Sequence, residues 1–306
     1  MGTRIHRTLT SVVAVGLTFG LAACSDNDNM TTGATGGSAN IAFPATVSTK
    51  FGEIDIKEKP TKVVALGWGD AETAVALGVQ PVAASDWAGY GGDGLGPWVT
   101  DRYDEDPEII STQEPEYEKI AGLEPDLILD VKSSGDRARY DKLSAIAPTV
   151  GVPDNGADSF LTGPDQQVSM IAQALGETSK GEEILAARAD RAAQIRDEHP
   201  QWAGKTLSAI GASKTWGVFL PGSVRVDPLM QLGFTLNDKI SSTPAGKNGF
   251  SVSLTDETLG DADADIVLAY PIGMTGDEIA DSEAWKRLPA VAAGHAAVLP
   301  RETAQA

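Results

Sequence analysis

The chain has 306 residues, of which 43 are acidic and 24 basic, a formal net charge of −19. That balance argues against nucleic acid as a partner and against electrostatic adhesion to anionic lipid, and it suits a well-solvated protein. A single cysteine excludes an internal disulfide, so stability must come from core burial, for which the length is ample and points to two lobes rather than one.

The N-terminal segment sets Arg4 and Arg7 ahead of a mostly apolar stretch, Leu9 to Ala23, too short for a permanent membrane span. It ends in Leu21-Ala22-Ala23-Cys24, followed by Ser25-Asp26-Asn27-Asp28. This order resembles the lipobox of bacterial lipoproteins, in which a signal peptidase cuts before the cysteine and its sulfur carries a diacylglyceryl group. Residues 1–23 then read as a signal peptide. Cys24 reads as the lipidated residue of an extracytoplasmic protein anchored to the cell membrane through lipid alone. An ordinary secretory signal with a chance cysteine is the plainer alternative, but a leftover thiol is unusual in a secreted chain. Residues 25–40 lack apolar periodicity, so 24–44 reads as a flexible linker.

Folded structure is expected from Ala45. Val47, Thr49, Ile54 and Ile56 alternate around Phe51-Gly52 and predict a hairpin. Short apolar runs then alternate with helical patterns: Lys62–Leu66, a helix over 70–77, Val82–Ser85, a helix near 116–122, Asp126–Asp130, and a helix from Arg137 to Ile146. Continuous apolar strands separated by helices predict a parallel sheet covered on both faces. Residues 45–163 are thus an N-terminal α/β lobe. Pro164 opens a helix that Gly176 closes, and Lys180 to Glu198 forms a longer, charged one, so 164–200 connects the lobes. A helix of some twenty residues spans about 30 Å, enough for a strut. Residues 201–306 repeat the pattern, with strands at 206–210, 216–220, 265–269 and 296–299 and helices at 227–232, 255–260 and 282–287. The expected fold is α/β, two lobes with mainly parallel sheets joined by a long interlobe helix.

In open α/β sheets ligands lie beyond the carboxyl ends of the strands. Trp68 follows the first strand; Trp87, Tyr90 and Trp98 follow the second on a glycine-rich loop; Lys132 follows the third. The second lobe offers Lys214, Trp216, Arg225 and Tyr270 at matching positions. Each tryptophan alone could be a packing residue. Together, aromatic faces with a few cations suit a bulky, amphipathic ligand with partial negative charge. Catalytic signatures are missing. Gly67-Trp68-Gly69 starts like a dinucleotide fingerprint, but Glu72 stands where the third glycine belongs and would repel a pyrophosphate. There is no Gly-x-Ser-x-Gly elbow, and three histidines cannot build a His-rich metal cage. The expectation is a non-enzyme with no metal site of its own.

The chain from about Ala45 to Pro300 resembles the substrate-binding lipoproteins of iron–siderophore ABC importers. The likeness rests on Lys59-Pro60-Thr61-Lys62-Val63-Val64-Ala65-Leu66-Gly67, on Glu118 through Ile128, and on Tyr140 to Val150. Pro221-Gly222-Ser223, Leu232-Gly233-Phe234 and Ala284 through Val291 extend it. The resemblance implies two lobes joined by one backbone helix with little hinge motion. It also implies a shallow cleft gripping a ferric chelate through aromatic, Arg and Lys groups. Few cations favour a hydroxamate over a trianionic catecholate; haem or a corrinoid is the alternative ligand. A non-transport sensor or structural role in the envelope is the alternative function. Iron would arrive as the chelate, and no intrinsic cofactor is expected. The family also implies a monomer whose surface glutamates meet arginines of the two permease subunits. By motif match these are Glu118 and Glu257, with Asp256 a close rival. Family members normally continue into a further terminal helix, whereas this sequence stops at Ala306, so a truncated second lobe is also expected.

The anchor is open to test. Cys24→Ala should release the protein from membrane fractions, because the acidic body offers no electrostatic hold. Retention of the variant after a high-salt wash would refute the lipidation reading.

Overall fold

Val63-Val64-Ala65-Leu66 is apolar at every position, the pattern of a strand covered on both faces. In the computed structural model, which describes residues 43–87, 89, 91–155, 160–246 and 249–301, it forms the centre of the first lobe. The expected signal peptide and Cys24 lie outside the described residues, as does all of the linker but Phe43 and Pro44. An antiparallel hairpin comes first, β1 (Ala45–Thr49) with β2 (Gly52–Ile56). Then follow β3 (Val63–Ala65), α1 (Asp70–Ala76), β4 (Ala83–Ser85), β5 (Glu108–Ile110), α2 (Tyr117–Gly122), β6 (Leu127–Leu129), α3 (Arg137–Ser144) and β7 (Thr149–Val150). Strands β3 to β7 make one parallel sheet in the order β5-β4-β3-β6-β7. The chain winds outward from β3 to one edge, returns, and winds to the other. A crevice therefore opens between β3 and β6 at their carboxyl ends.

Alternate residues of these strands feed two cores. Val63, Ala65, Leu127 and Leu129 pack with Ala71, Ala74 and Val75 of α1 and with Met170, Ile171 and Leu175 of the next helix, α4 (Pro164–Leu175). Val64, Leu66 and Ile128 pack with Ile120 of α2 and Leu143 of α3 on the other face. Gly176 ends α4 in the left-handed region at φ 72°. The strut α5 (Thr178–Glu198) follows, and its one buried residue is Gly181. A Cβ there would sit 2.6 Å from the Ala172 Cβ, so the glycine is what lets α5 cross α4 closely. No helix of the described residues is long and apolar enough to cross a membrane.

The second lobe contains β8 (Thr206–Ala212), β9 (Trp216–Phe219), α6 (Asp227–Gln231), β10 (Thr235–Leu236), α7 (Asp238–Ser241), β11 (Ser251–Leu254), β12 (Ile266–Pro271), α8 (Gly276–Asp281), α9 (Glu283–Lys286), α10 (Pro289–Ala292) and β13 (Ala296–Val298). Its sheet runs β11-β9-β8-β12-β13, with β10 beside the first residues of β8. It is mixed: β9 is antiparallel to both β8 and β11, while the other pairs are parallel. The reason is local. Only Ser213-Lys214-Thr215 separates β8 from β9, and so short a link can form a hairpin but not a parallel crossover. The helix expected over 255–260 is not one; a turn there leads into a 3₁₀ segment, Leu259–Ala262. Both lobes belong to one compact unit.

Each lobe carries the same kind of clamp at the amino ends of its central strands. Asp126 accepts hydrogen bonds from the Thr61 amide and hydroxyl, each 2.8 Å, and from the Lys62 amide. Asp265 accepts from the Thr206 amide and hydroxyl at 2.8 and 2.9 Å. Each carboxylate clamps the entries of two neighbouring parallel strands and leaves the opposite ends free.

Candidate functional site

Trp68 and Lys132 leave the carboxyl ends of β3 and β6, the two strands that flank the crevice. The Trp68 amide donates to the Lys132 carbonyl at 2.9 Å, which ties the two loops together. Gly67 is required by this turn, since a Cβ there would lie 2.2 Å from Asp70 Oδ2 and 2.8 Å from the Lys132 amide nitrogen. Asp70 is fully buried. Gln167 Nε2 donates to its Oδ1 at 2.6 Å and the Val131 amide to its Oδ2 at 2.8 Å. The same Gln167 nitrogen donates to the Trp68 carbonyl at 2.8 Å. Burial pushes the Asp70 carboxyl up to about 7, against the opposing pull of these donors.

Above this floor lies a cavity of about 620 Å³. Its first-lobe wall is a run of rings: Phe160 stacks on Trp68 at 4.2 Å, Trp68 on Trp87 at 5.5 Å, and Trp98 tilts against Trp87 at 6.4 Å. Trp87 Nε1 donates to Glu72 Oε1 at 2.9 Å. Burial raises the Glu72 carboxyl above its usual range, and that indole bond opposes the rise. Trp68 Nε1 and Glu72 Oε2 are buried without a hydrogen-bond partner among the described residues. The second lobe contributes Arg225, Ser223 and Phe250. The Arg225 guanidinium sits 4.9 Å from the Phe219 ring centroid and 5.8 Å from that of Tyr270, over an edge-to-face pair of rings. Burial makes its proton easier to lose, yet a guanidinium remains charged. Burial likewise pushes the Lys132 ammonium down to about 8. Among the described residues no group of three His, Cys, Asp or Glu side chains could hold a metal ion.

The structure brings together Trp68, Trp87, Trp98, Lys132 and Arg225 of the residues named from sequence. Tyr90 lies outside the described residues. Tyr270 does not line the cavity; it is buried behind Arg225, and its hydroxyl donates to the Arg225 carbonyl at 3.4 Å. Trp216 and Lys214 are corrections. They line a separate cavity of about 400 Å³ with Asp256 and Glu278. Trp216 is 3% exposed, and its Nε1 donates to Asp256 Oδ1 at 2.7 Å. The pleat explains this: Trp216 and Val218 enter the core with Ile210, Ala212, Val267 and Ala269, whereas Phe219 and Tyr270 join Ala209 on the other face, beneath Arg225.

Sequence reasoning missed Glu72, Phe160, Gln167, Arg188 and Phe250. Gln167 and Arg188 lie on α4 and α5, and helices that run between two lobes must pass the cleft. Arg188 is ion-paired there with Asp165. Phe160 and Phe250 sit in irregular segments and carried no periodic signal.

The periplasmic binding protein family matches residues 63–303. The probable siderophore-binding lipoprotein YfiY of Bacillus subtilis is 29% identical over 271 residues, 82% of this chain and 78% of that one. A periplasmic solute-binding protein of Mycobacterium smegmatis superposes with a TM-score of 0.72 at 26% identity, covering 85% of this chain and 89% of the other. The ferrichrome complex of PiaA from Streptococcus pneumoniae gives 0.70 at 21% identity, over 85% and 90% of the two chains, a likeness of fold. The chain belongs to the periplasmic binding protein family, whose members are substrate-binding proteins.

The placement of Trp216 has a measurable consequence. Trp216→Ala should lower stability by about 3–5 kcal/mol in urea unfolding. Solute affinity in the main cavity should stay within about twofold, because the site lies on the opposite face of the sheet. A large loss of affinity at full stability would contradict this assignment.

Proposed function

We propose that the protein binds a ferric siderophore of hydroxamate type outside the cytoplasm and delivers it to the permease of an ABC importer. The observation that carries this reading is the run of rings Phe160, Trp68, Trp87 and Trp98 in one wall of a cavity that Arg225 lines from the other lobe. Aromatic faces bury the apolar shell of a bulky chelate, while Arg225 and Lys132 donate to its oxygens. Glu72 shares the wall with these two cations, so the site is poorly balanced for a trianionic catecholate and well suited to a neutral trihydroxamate. The name of the Bacillus relative, a probable siderophore-binding lipoprotein, supports the same class. Iron is cargo here, carried within its chelate. Tyr90 stays a candidate contact by its place in the sequence alone. Trp68, Trp87, Trp98, Lys132 and Arg225 are the proposed contacts.

Tryptophan quenching against a ferric trihydroxamate, a ferric catecholate, haem and cobalamin tests the reading. The trihydroxamate should bind tightest, and tighter binding of haem or cobalamin would overturn it. Trp87→Ala should weaken binding roughly tenfold. Arg225→Ala should cost at least as much, since a charge-assisted bond is lost from a largely buried site. Unchanged affinity in both variants would displace the site.

Delivery is assigned to exposed carboxylates, one on each lobe. Glu118 lies in the first turn of α2. Glu257 lies in the turn before the 3₁₀ segment rather than in a helix, and a hydrogen bond with Thr255 holds its carboxyl below the usual range. Asp256 is already engaged by Trp216, which favours Glu257 as the docking group. Rim charges of this kind steer and register a complex more than they hold it. Lipid at Cys24 would keep a monomeric receptor beside its permease. Replacing Glu118 and Glu257 together by Ala should leave chelate affinity intact and sharply lower uptake; wild-type transport by that variant would refute the docking assignment.

A further inference from the structure

The tryptophan wall holds one carboxylate, and that carboxylate is only half engaged. Trp87 Nε1 donates to Glu72 Oε1 at 2.9 Å, and the Gly96 amide also favours the charged form. Oε2 is buried and has no hydrogen-bond partner among the described residues. No ion pair joins Glu72 to a cation among those residues either: Lys132 lines the same cavity without forming one, and Arg188 is paired with Asp165. Trp68 Nε1, in the same wall, is a buried donor without an acceptor. The Tyr103 hydroxyl, which feels the Glu72 charge, is buried and unpartnered too. A hydroxyl can satisfy an acceptor, but it does not neutralise a charge. The rings beside Glu72 form a corner. Trp68 and Trp87 are inclined by only 23°, whereas Trp98 is inclined to Trp87 by 54° and remains 39% exposed. Aromatic faces attract cations, and a buried carboxylate oxygen left unfilled calls for a donor.

Resting on the siderophore reading, we propose that Glu72 and the Trp87–Trp98 corner form an ammonium subsite, which takes a protonated amine borne on an arm of the trihydroxamate. The chelate core stays neutral, and the pendant ammonium donates to Glu72 Oε2 beside the two rings. An amide in the same arm supplies what Trp68 lacks, its carbonyl accepting from Nε1. The cations of the cavity serve another part of the ligand. The Lys132 loop is tied to Trp68 rather than to the corner, and Arg225 enters from the other lobe. Both are assigned to the chelate oxygens. An arm that ends in a carboxylate would instead bring like charges together where water screens them poorly. If Glu72 served only to orient Trp87 through the indole bond, affinity would be indifferent to the charge of the arm.

The experiment measures Kd of the full chain by tryptophan quenching, at neutral pH, for three ferric complexes of one linear trihydroxamate. Its terminal amine is left free, acetylated or succinylated, so the chelate core is constant and the arm is cationic, neutral or anionic. The wild-type chain should bind the free amine roughly tenfold tighter than the acetylated form, and the succinylated form at least tenfold more weakly again. Glu72→Gln keeps the size of the side chain and an oxygen for Trp87 Nε1 but removes the charge. In that variant the three affinities should fall within about threefold of one another, with near-UV circular dichroism showing the ring wall intact. Equal wild-type affinity for the free and acetylated amines would overturn the proposal, as would a Gln variant that keeps the wild-type order. The wild-type order decides by itself if the variant does not fold. Binding of none of the three complexes would instead overturn the siderophore reading, an outcome distinct from binding without charge preference.

Discussion

Asp70 has no access to solvent, and its two oxygens face three parts of the first lobe. Oδ2 takes the Val131 amide at the end of β6, Oδ1 takes Gln167 from α4, and Gly67 lies so close that no side chain fits between. A buried carboxylate is tolerated only when donors surround it, so each of these groups is obliged to be where it is. Trp68 inherits its place, because Gln167 also holds its carbonyl and Lys132 accepts its amide proton. The aromatic wall is stacked outward from Trp68, and the cation beside it is Lys132. Removal of this one carboxylate would free the β3–α1 turn, the β6 loop and the first turn of α4 together. Its raised pKa is the mark of that burial.

The two lobes begin alike and end differently. A threonine and an aspartate clamp the strand entries in both, at Thr61 with Asp126 and at Thr206 with Asp265. In the first lobe every strand of the five-stranded sheet then runs parallel, and the residues just beyond β3 and β6 become the cavity. In the second lobe the short link after β8 forces β9 to turn back. Its carboxyl end delivers the Leu220–Arg225 loop to the face that carries Phe219 and Tyr270, while Trp216 goes to the opposite face. The first lobe therefore supplies rings and the second a guanidinium seated over rings of its own. A chelate between them meets apolar surface on one side and a fixed donor on the other.

Much of this was legible because short apolar runs and helical patterns are strong where they alternate. The hairpin, β3, β4, β6, the first-lobe helices and the strut follow from that alternation, and the places of Trp68, Trp87, Trp98, Lys132 and Arg225 in the cavity wall from reading the residues after each strand. That rule assumes parallel strands. It failed at Trp216 and Lys214, where three residues, Ser213-Lys214-Thr215, already demanded a hairpin. Once β9 is antiparallel, a period of two places Trp216 with Val218 and away from Phe219. Strands β5, β7 and β10 are two or three residues long, too short for any periodic signal, and Glu108 opens β5 with a charge. Glu72 was noticed only as an obstacle to a phosphate. Its role as the acceptor for Trp87 depends on a helix and a loop meeting in space, which spacing cannot show.

The connector is also a wall, and this bears on how the site works. Gln167 and Pro164 of α4 and Arg188 of α5 line the cavity, while α4 packs on α1 and, through Gly181, on α5. A lobe rotation about the strut would shift the wall that Asp70 fixes through Gln167, and it would disturb the Arg188–Asp165 pair. The rings, moreover, pack on one another, and Arg225 is held over Phe219 and Tyr270, through contacts the protein supplies itself. Groups ordered in advance lose little freedom on binding. A receptor built this way gains affinity from pre-set contacts rather than from closure.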